Sequence, residues 1–289
     1  MSSRAEGRFA VPVLLVAVAA ISSAAILVRL GTGVHPVALA AWRAGIVAVL
    51  LAPTWRPFGR RDGALVVLSG LCLALHFGTW FASISHTTVL RSTVFVCLNP
   101  IWVGLGEWLL LKRPPGWRYW LGVAVAVLGV AGMGGDLDGG SLYGDALALV
   151  GGLFGSAYLL TGRVVRQRVA IGSYACSVCA VACAALTVVG VSASVPLGGF
   201  SMPQWTVIAA LALGPHMIGH NGVNYALKYL PAAPVAAVIL LEPVGAAALA
   251  AGLFGERPSR PELLGGFVIL IGVWMATWRG AAEVVDPVR

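Results

Sequence analysis

Residues 98–105 read LNPIWVGL, and residues 241–248 read LEPVGAAA. Each places a polar side chain and a proline directly after a leucine, inside a long apolar run. The two stretches lie 143 positions apart, about half of the 289-residue chain. Other phrases recur in the same order. HFGTWFA at 76–82 pairs with HNGVNYA at 220–226, sharing His, Gly, Ala and an aromatic before the Ala. KRPPGWRYWLG at 112–122 parallels ERPSRPELLGG at 256–266, and ISSAAIL at 21–27 parallels FGSAYLL at 154–160. The chain reads as one unit written twice.

Composition sets the solvent of that unit. Hydrophobic residues make up 59% of the chain and charged residues 10%, with a mean hydropathy of +0.90. Soluble domains average roughly 45–50% apolar and roughly 25% charged residues. This much apolar surface calls for lipid. The sequence divides into ten apolar runs, roughly 9–30, 35–54, 64–84, 88–110, 117–134, 143–162, 171–192, 204–227, 232–254 and 261–279. Most have about the length that crosses a bilayer core as a helix. The first is too long for a signal peptide and the chain re-enters the membrane almost at once, so it reads as a retained helix. The expected fold is therefore all-α and integral to the membrane, with ten transmembrane helices. Residues 9–134 form a first five-helix repeat and residues 143–279 a second. Because five is odd, the second repeat starts on the opposite side. The two are inverted about a pseudo-two-fold axis in the membrane plane, a plan common among secondary transporters.

The basic residues orient this arrangement. With the N-terminus in the cytoplasm, inner loops and termini hold Arg4, Arg8, Arg56, Arg60, Arg61, Lys112, Arg113, Arg118, Arg163, Arg166, Arg168, Lys228, Arg279 and Arg289. Outer loops hold Arg257 and Arg260, while Arg29, Arg43 and Arg91 fall within the runs. Both termini are expected to be cytoplasmic. The net charge of +8 follows from basic inner loops facing anionic lipid heads and implies no nucleic acid. Cys72, Cys97, Cys176, Cys179 and Cys183 all sit inside apolar runs. They read as packing residues, including the C-x-x-C at 176–179, rather than as disulfides or a metal site.

In their order, the LNP and LEP phrases, GERPSRPELLGG with the following IGV, GSAYLL, the Arg of AAWRAG, and the paired HFGTWFA and HNGVNYA resemble the EamA-type branch of the drug/metabolite transporter superfamily. The likeness covers nearly the whole chain. It implies a ten-helix carrier that exports small metabolites, often amino acids or related compounds and less often drugs. Lys112 departs from the pattern, since the matching position in the second half is the acidic Glu256. The expected consequence lies at helix termini rather than at substrate.

The candidate site follows from residues costly to place in lipid. Pro100 and Pro243 interrupt two helices at matching places and free the carbonyls of Val96 and Ile239. Paired interruptions of this kind point to a midplane binding site. Glu242 lies mid-run, where a carboxylate costs about 2.5–3.5 kcal/mol on insertion scales. It reads as a proton-coupling or gating residue, or as the fixed partner of Arg43, and as the one obvious acid at depth. Inversion gives His76 and His220 related positions, from which both can face a central cavity. The plainer alternative for each is an interhelical hydrogen bond. Trp80 shares the face of His76 and reads either as a pocket wall or as an interface anchor. Asn99, Asn221 and Asn224 complete the expected substrate-binding set. Arg91 reads as an anion attractor or as a side chain snorkelling to headgroups. His216 and His220 have a spacing that can chelate zinc, but no third ligand accompanies them.

The function expected from these residues is secondary active transport of a small metabolite across the plasma (inner) membrane by alternating access, driven by protons. Amino acids or related compounds lead as cargo, and export as direction. The competing readings are a multidrug or cationic-compound exporter and a lipid-linked sugar flippase or accessory membrane protein. The sequence holds no G-x-x-x-x-G-K-[ST] phosphate loop. It also holds no nucleophile–base set or dense acidic or histidine motif, so an enzyme is not expected. No cofactor or metal is called for. The expected partners are the substrate, protons and the bilayer.

Overall fold

The computed structural model describes residues 7–87, 89–133, 141–255 and 259–278. Arg4, Glu256, Arg257, Arg279 and Arg289 lie outside them. Helices account for nearly all of the described backbone, and no strand occurs among the described residues. In lipid this is the economical solution, because a helix satisfies its backbone donors and acceptors within one segment.

The first half comprises α1 (Ala10–Ile21), α2 (Ala24–Leu30), α3 (Pro36–Leu51), α4 (Arg60–His86), α5 (Val89–Val96), α6 (Asn99–Leu109) and α7 (Trp117–Met133). The second comprises α8 (Leu142–Val165), α9 (Ile171–Ser192), α10 (Met202–Leu211), a π-helical segment (Ala212–His220), α11 (Asn221–Tyr229), α12 (Ala232–Ile239), α13 (Glu242–Phe254) and α14 (Arg260–Thr277). Seven helical stretches are long and apolar enough to cross a membrane: Ala10–Leu30, Pro36–Thr54, Arg60–His86, Leu142–Val165, Ile171–Ser192, Ala232–Leu253 and Arg260–Thr277. The chain is thus a multi-pass membrane protein. α7 is a shorter apolar helix. The runs 88–110 and 204–227 are carried by shorter pieces, because each is broken by its own chemistry.

Those breaks have local causes. α5 ends at Val96 and α6 starts at Asn99, with Pro100 in its first turn. α12 ends at Ile239 and α13 starts at Glu242, with Pro243 in its first turn. The joints are bridged by tight turns, in which Leu98 N donates to Phe95 O at 3.3 Å and Leu241 N to Val238 O at 3.0 Å. A further break, which the run 9–30 did not signal, separates α1 from α2 at Ser22–Ser23. There each hydroxyl donates back to a carbonyl, Ser22 Oγ to Val18 O and Ser23 Oγ to Ala20 O, both at 2.8 Å. Such back-bonding competes with the helical ladder. Some helix starts are capped by side chains. Ser201 with Gln204 and Ser259 with Glu262 each form a reciprocal capping box. Lys112 lies beyond the end of α6 with a left-handed φ of 55°.

Packing pairs the helices across the two halves. α7 lies along α14, α3 along α9, α4 along α8, and α1 against the π segment and α11. Glycines permit the tightest of these contacts. A methyl on Gly129 would meet Gly265 O at 2.7 Å, and one on Gly265 would meet Gly129 O at 2.6 Å, so α7 and α14 touch backbone to backbone. The outer surface is apolar instead of polar: Val49, Leu128, Phe267 and Trp274 all stand exposed on the flank of the bundle. Polar residues are drawn inward, and Arg43, Glu107, Asp145, His216, Asn224 and Glu242 are all buried.

α8 is held at both ends. At its N-terminal end, Arg91 of α5 forms an ion pair with Asp145. Thr87 donates to the same carboxylate at 2.9 Å, and Ser141 Oγ donates to His86 O at 2.6 Å. An acid in the first turn of a helix also suits the helix dipole. At its C-terminal end, Arg163 donates to Leu227 O and Lys228 O at 2.8 and 3.1 Å, and Arg166 to Asn224 O at 3.0 Å. Burial holds Arg166 below the ordinary arginine range. Beside them, Glu107 of α6 accepts the N–H of Ala232 at 2.6 Å and so caps α12. One helix therefore anchors the turn between α4 and α5 at one end and the turn between α11 and α12 at the other.

Candidate functional site

The two broken joints meet at one cavity. It is lined by Val96, Cys97 and Asn99 from the first joint, and by Ile239 and Glu242 from the second. His76 and Trp80 of α4, Gly155, Tyr158 and Leu159 of α8, Ile21 of α1, and His220 and Val223 complete the wall. The cavity volume is about 50 Å³, room for a few waters and well short of a ligand pocket of roughly 300–1,000 Å³. The space between the joints is narrow, and its polar groups stand close together.

Each lining group has a definable hydrogen-bonding role. His76 Nδ1 lies 2.8 Å from Gly151 O. A carbonyl only accepts, so Nδ1 carries the proton and Nε2 of the neutral ring is left as an acceptor. Gly155 makes this fit possible, since a methyl there would come within 2.8 Å of His76 Nδ1. The imidazole stacks on Trp80, with ring centroids 5.9 Å apart and planes 12° from parallel. His76 and His220 face one another at 6.2 Å between ring centres. Tyr158 donates to Asn224 Oδ1 at 2.8 Å. Two lining atoms are buried without a partner, Trp80 Nε1 and Asn99 Oδ1. One is a donor and the other an acceptor, and a buried polar group left unpaired costs about 1–3 kcal/mol.

The expected site residues divide accordingly. His76, Trp80, Asn99, His220 and Glu242 come together around the cavity. Trp80 is 3% exposed, which removes it from the lipid–water interface. Asn224 stands behind Tyr158, and Asn221 instead donates to Met217 Sδ at 3.2 Å. Pro100 and Pro243 shape the joints, and Pro100 O also accepts Tyr119 Oη at 2.6 Å. The direct Arg43–Glu242 pair is not made: no nitrogen of the Arg43 guanidinium has a hydrogen-bond partner. It packs face-on to Phe77, with Cζ 4.1 Å from the ring centre. Arg91 neither awaits an anion nor snorkels, because Asp145 holds it.

Three other readings change. Glu242 is not alone at depth, since Glu107 is also buried, at 5% exposure. Cys179 does more than pack, lying 3.3 Å from His216 Nε2. The helix carrying His216 and His220 winds as a π-helix around Pro215, a form that recurs at functional sites. Among the described residues, no group of three His, Cys, Asp or Glu gathers to hold a metal. Tyr158 and Gly155 lie within the repeated GSAYLL phrase, which marked them as part of a motif without showing that they face the cavity.

A second, larger hollow of about 470 Å³ opens near the C-terminal ends of α8 and α11, lined by Phe9, Arg166, Ala170, Ile171, Tyr225, Lys228 and Tyr229.

Fold and site together define a polytopic helical membrane protein with a small cavity, carrying a few polar groups, where its two broken joints meet. The chain belongs to the EamA-like transporter family, whose model matches residues 8–135 and again residues 142–278. No curated protein matches the chain. A solved structure described as "Crystal structure of protein" shares the fold, with a TM-score of 0.80 and 17% identity over 95% of this chain and 98% of its own. Family membership points to a membrane transporter rather than an enzyme, and to small-molecule cargo in a lipid bilayer.

Proposed function

We propose that this protein is a secondary active transporter that exports a small zwitterionic metabolite, an amino acid or a related compound, across the plasma membrane by alternating access coupled to protons. The observation that carries this reading is the chamber itself. Glu242 supplies an acid for an ammonium group or a proton. The unpaired Trp80 Nε1 and Asn99 Oδ1 supply one donor and one acceptor. His76 and His220 add titratable rings, and Trp80 and Tyr158 add aromatic walls. A cargo bearing both charges answers this set, whereas a purely cationic compound leaves the donors unused.

The architecture proposed for the cycle is ten spans in two inverted repeats, 9–134 and 143–279, with both termini in the cytoplasm. The helix pairing supports it. Exchange of the halves turns the contact of α1 with the π segment and α11 into the contact of α8 with α4, and it maps α3–α9 and α7–α14 onto themselves. In this reading the contracted chamber is one stage of the cycle. Releasing the bonds at one end of α8 or the other opens it to one side at a time.

The test is counterflow in proteoliposomes. Purified protein is loaded with one unlabelled compound at a time from a panel of amino acids, nucleosides and a cationic dye, and uptake of the matching labelled compound is followed with and without a pH gradient. Trans-stimulated uptake of amino acids that responds to the gradient is the expected result. Exchange confined to the dye or to nucleosides would overturn the cargo, and indifference to the gradient would overturn the coupling.

A further inference from the structure

Arg43 presents a problem that the central chamber does not solve. Its side chain is fully buried, at 0% exposure, and Nε, Nη1 and Nη2 all lack a hydrogen-bond partner. Arginine stays protonated in proteins, so α3 carries a buried cation whose five N–H groups meet no acceptor of the protein. The rings of Phe77 and Phe81, 4.1 and 5.6 Å from Cζ, attract the charge but accept none of those protons.

His216 contacts the same phenylalanine, its ring centre 5.3 Å from that of Phe77 in a T-shaped arrangement. It is 1% exposed, and its Nδ1 also has no partner. We assign its tautomer from the contact with Cys179. The neutral thiol is the natural donor in the 3.3 Å contact between Cys179 Sγ and His216 Nε2. Nε2 then accepts, and Nδ1 carries a proton. Every unused polar atom on the two side chains is therefore a donor. The carboxylate of Glu242 reaches Arg43 only through space.

We infer that Arg43 and His216 form a small-anion subsite, one aromatic ring behind the central chamber, that takes a carboxylate or a monovalent inorganic anion. Phe77 is its door. The same ring contacts His220 of the chamber wall at 5.0 Å between centres, in a T-shaped arrangement, and is covered by the guanidinium on its face. For an anion to pass from the chamber to Arg43, this one side chain has to rotate. Where the anion is the carboxylate of a zwitterion whose ammonium group meets Glu242, the inference deepens the cargo reading above; where it is a free anion, it stands without it.

The experiment uses full-length protein in detergent, in a chloride-free HEPES buffer, and follows the thermal unfolding midpoint. The probes are sodium acetate, sodium chloride and glycine, with sodium gluconate, a much larger anion, as the control for ionic strength. Acetate or chloride raises the midpoint saturably, by about 3 °C near tenfold excess over half-saturation, and gluconate does not. Arg43→Gln abolishes the response. Phe77→Ala lowers the half-saturating concentration at least fivefold, a readout that remains if Arg43→Gln does not fold. Glycine acting through Arg43 assigns the subsite to a zwitterion's carboxylate. Acetate acting through Arg43 while no amino acid acts retains the subsite and removes the cargo reading. Equal effects of acetate, chloride and gluconate, or an unchanged half-saturation in Phe77→Ala, would overturn the inference.

Discussion

The Nδ1–H of His76 donates to the carbonyl of Gly151 at 2.8 Å, and this bond decides what the rest of the ring can do. It turns Nε2 into an acceptor, lays the imidazole flat against Trp80 and ties α4 to α8 beside the chamber. The repeated partner, His220, has a different setting. It lies in a π-helical turn and packs by its edges against Phe77, Tyr158 and His216. Two histidines that look equivalent in the repeated phrases are thus held in unlike ways. His76 is fixed by a backbone bond and His220 by aromatic contacts.

Glu242 begins α13 at the second joint and is, among the described residues, the only carboxylate lining the chamber. Glu242→Gln keeps the shape and the hydrogen-bonding reach of the side chain but cannot exchange a proton. It is expected to abolish gradient-driven flux while leaving counterflow of the same cargo measurable. Proteoliposomes with and without an imposed pH difference provide the check, and normal coupling in the variant would remove the proton role.

His220 lines the chamber, whereas the neighbouring Asn221 is turned to Met217. His220→Ala is expected to weaken cargo binding about tenfold, a loss of about 1.4 kcal/mol, and Asn221→Ala to change it less than twofold. The half-saturating concentration for counterflow measures both. A larger effect from Asn221 would place the cargo on a different face of this helix.

Gly265 and Gly129 set the distance between α14 and α7. A single methyl at 265 strikes Gly129 O at 2.6 Å and Met133 N at 2.7 Å, and backbone on both sides cannot step aside. Gly265→Ala is expected to destabilise the fold by about 1–3 kcal/mol. Gly252→Ala, at a position with nothing within 4 Å, is expected to be neutral. Unfolding midpoints in detergent compare the two, and equal midpoints would show that the two helices separate easily.

The ends of α8 make a third comparison. Arg91→Ala and Asp145→Ala each remove half of one ion pair, so the double variant is expected to be little worse than either single one, with a coupling energy of about 0.5–3 kcal/mol. Glu107→Ala leaves the buried N–H of Ala232 without its 2.6 Å acceptor and is expected to cost about 1–3 kcal/mol. In transport assays the two ends should act oppositely, one set of variants favouring access from one side and the other set access from the other. Site-directed cysteine labelling of the chamber from each face reads this out. Identical labelling patterns would mean that these bonds hold the fold without gating it.

Much was settled along the chain before any folding was known. The apolar runs and the small share of charge determined that the solvent is lipid, because burying or exposing so many apolar residues in water has no favourable arrangement. The order of the repeated phrases carried the family, and Asn99–Pro100 and Glu242–Pro243 marked both joints, since a proline must release a helical carbonyl wherever it falls. The tertiary structure decided what these pieces face. Asn221 and Asn224 share a short stretch with His220, yet a π turn and a tyrosine from α8 take both asparagines away from the chamber. Glu107 and Asp145 are bound to groups 125 and 54 residues distant, so no local pattern could distinguish them from helix-end acids. Arg43 and Glu242, the obvious opposite charges, do not meet, because Phe77 and Phe81 lie against the guanidinium. Hydrophobicity and backbone chemistry are properties of short segments and can be read from them. Side-chain partnership depends on how distant segments pack, and here that packing alone placed a buried cation without a hydrogen-bond partner beside a narrow chamber.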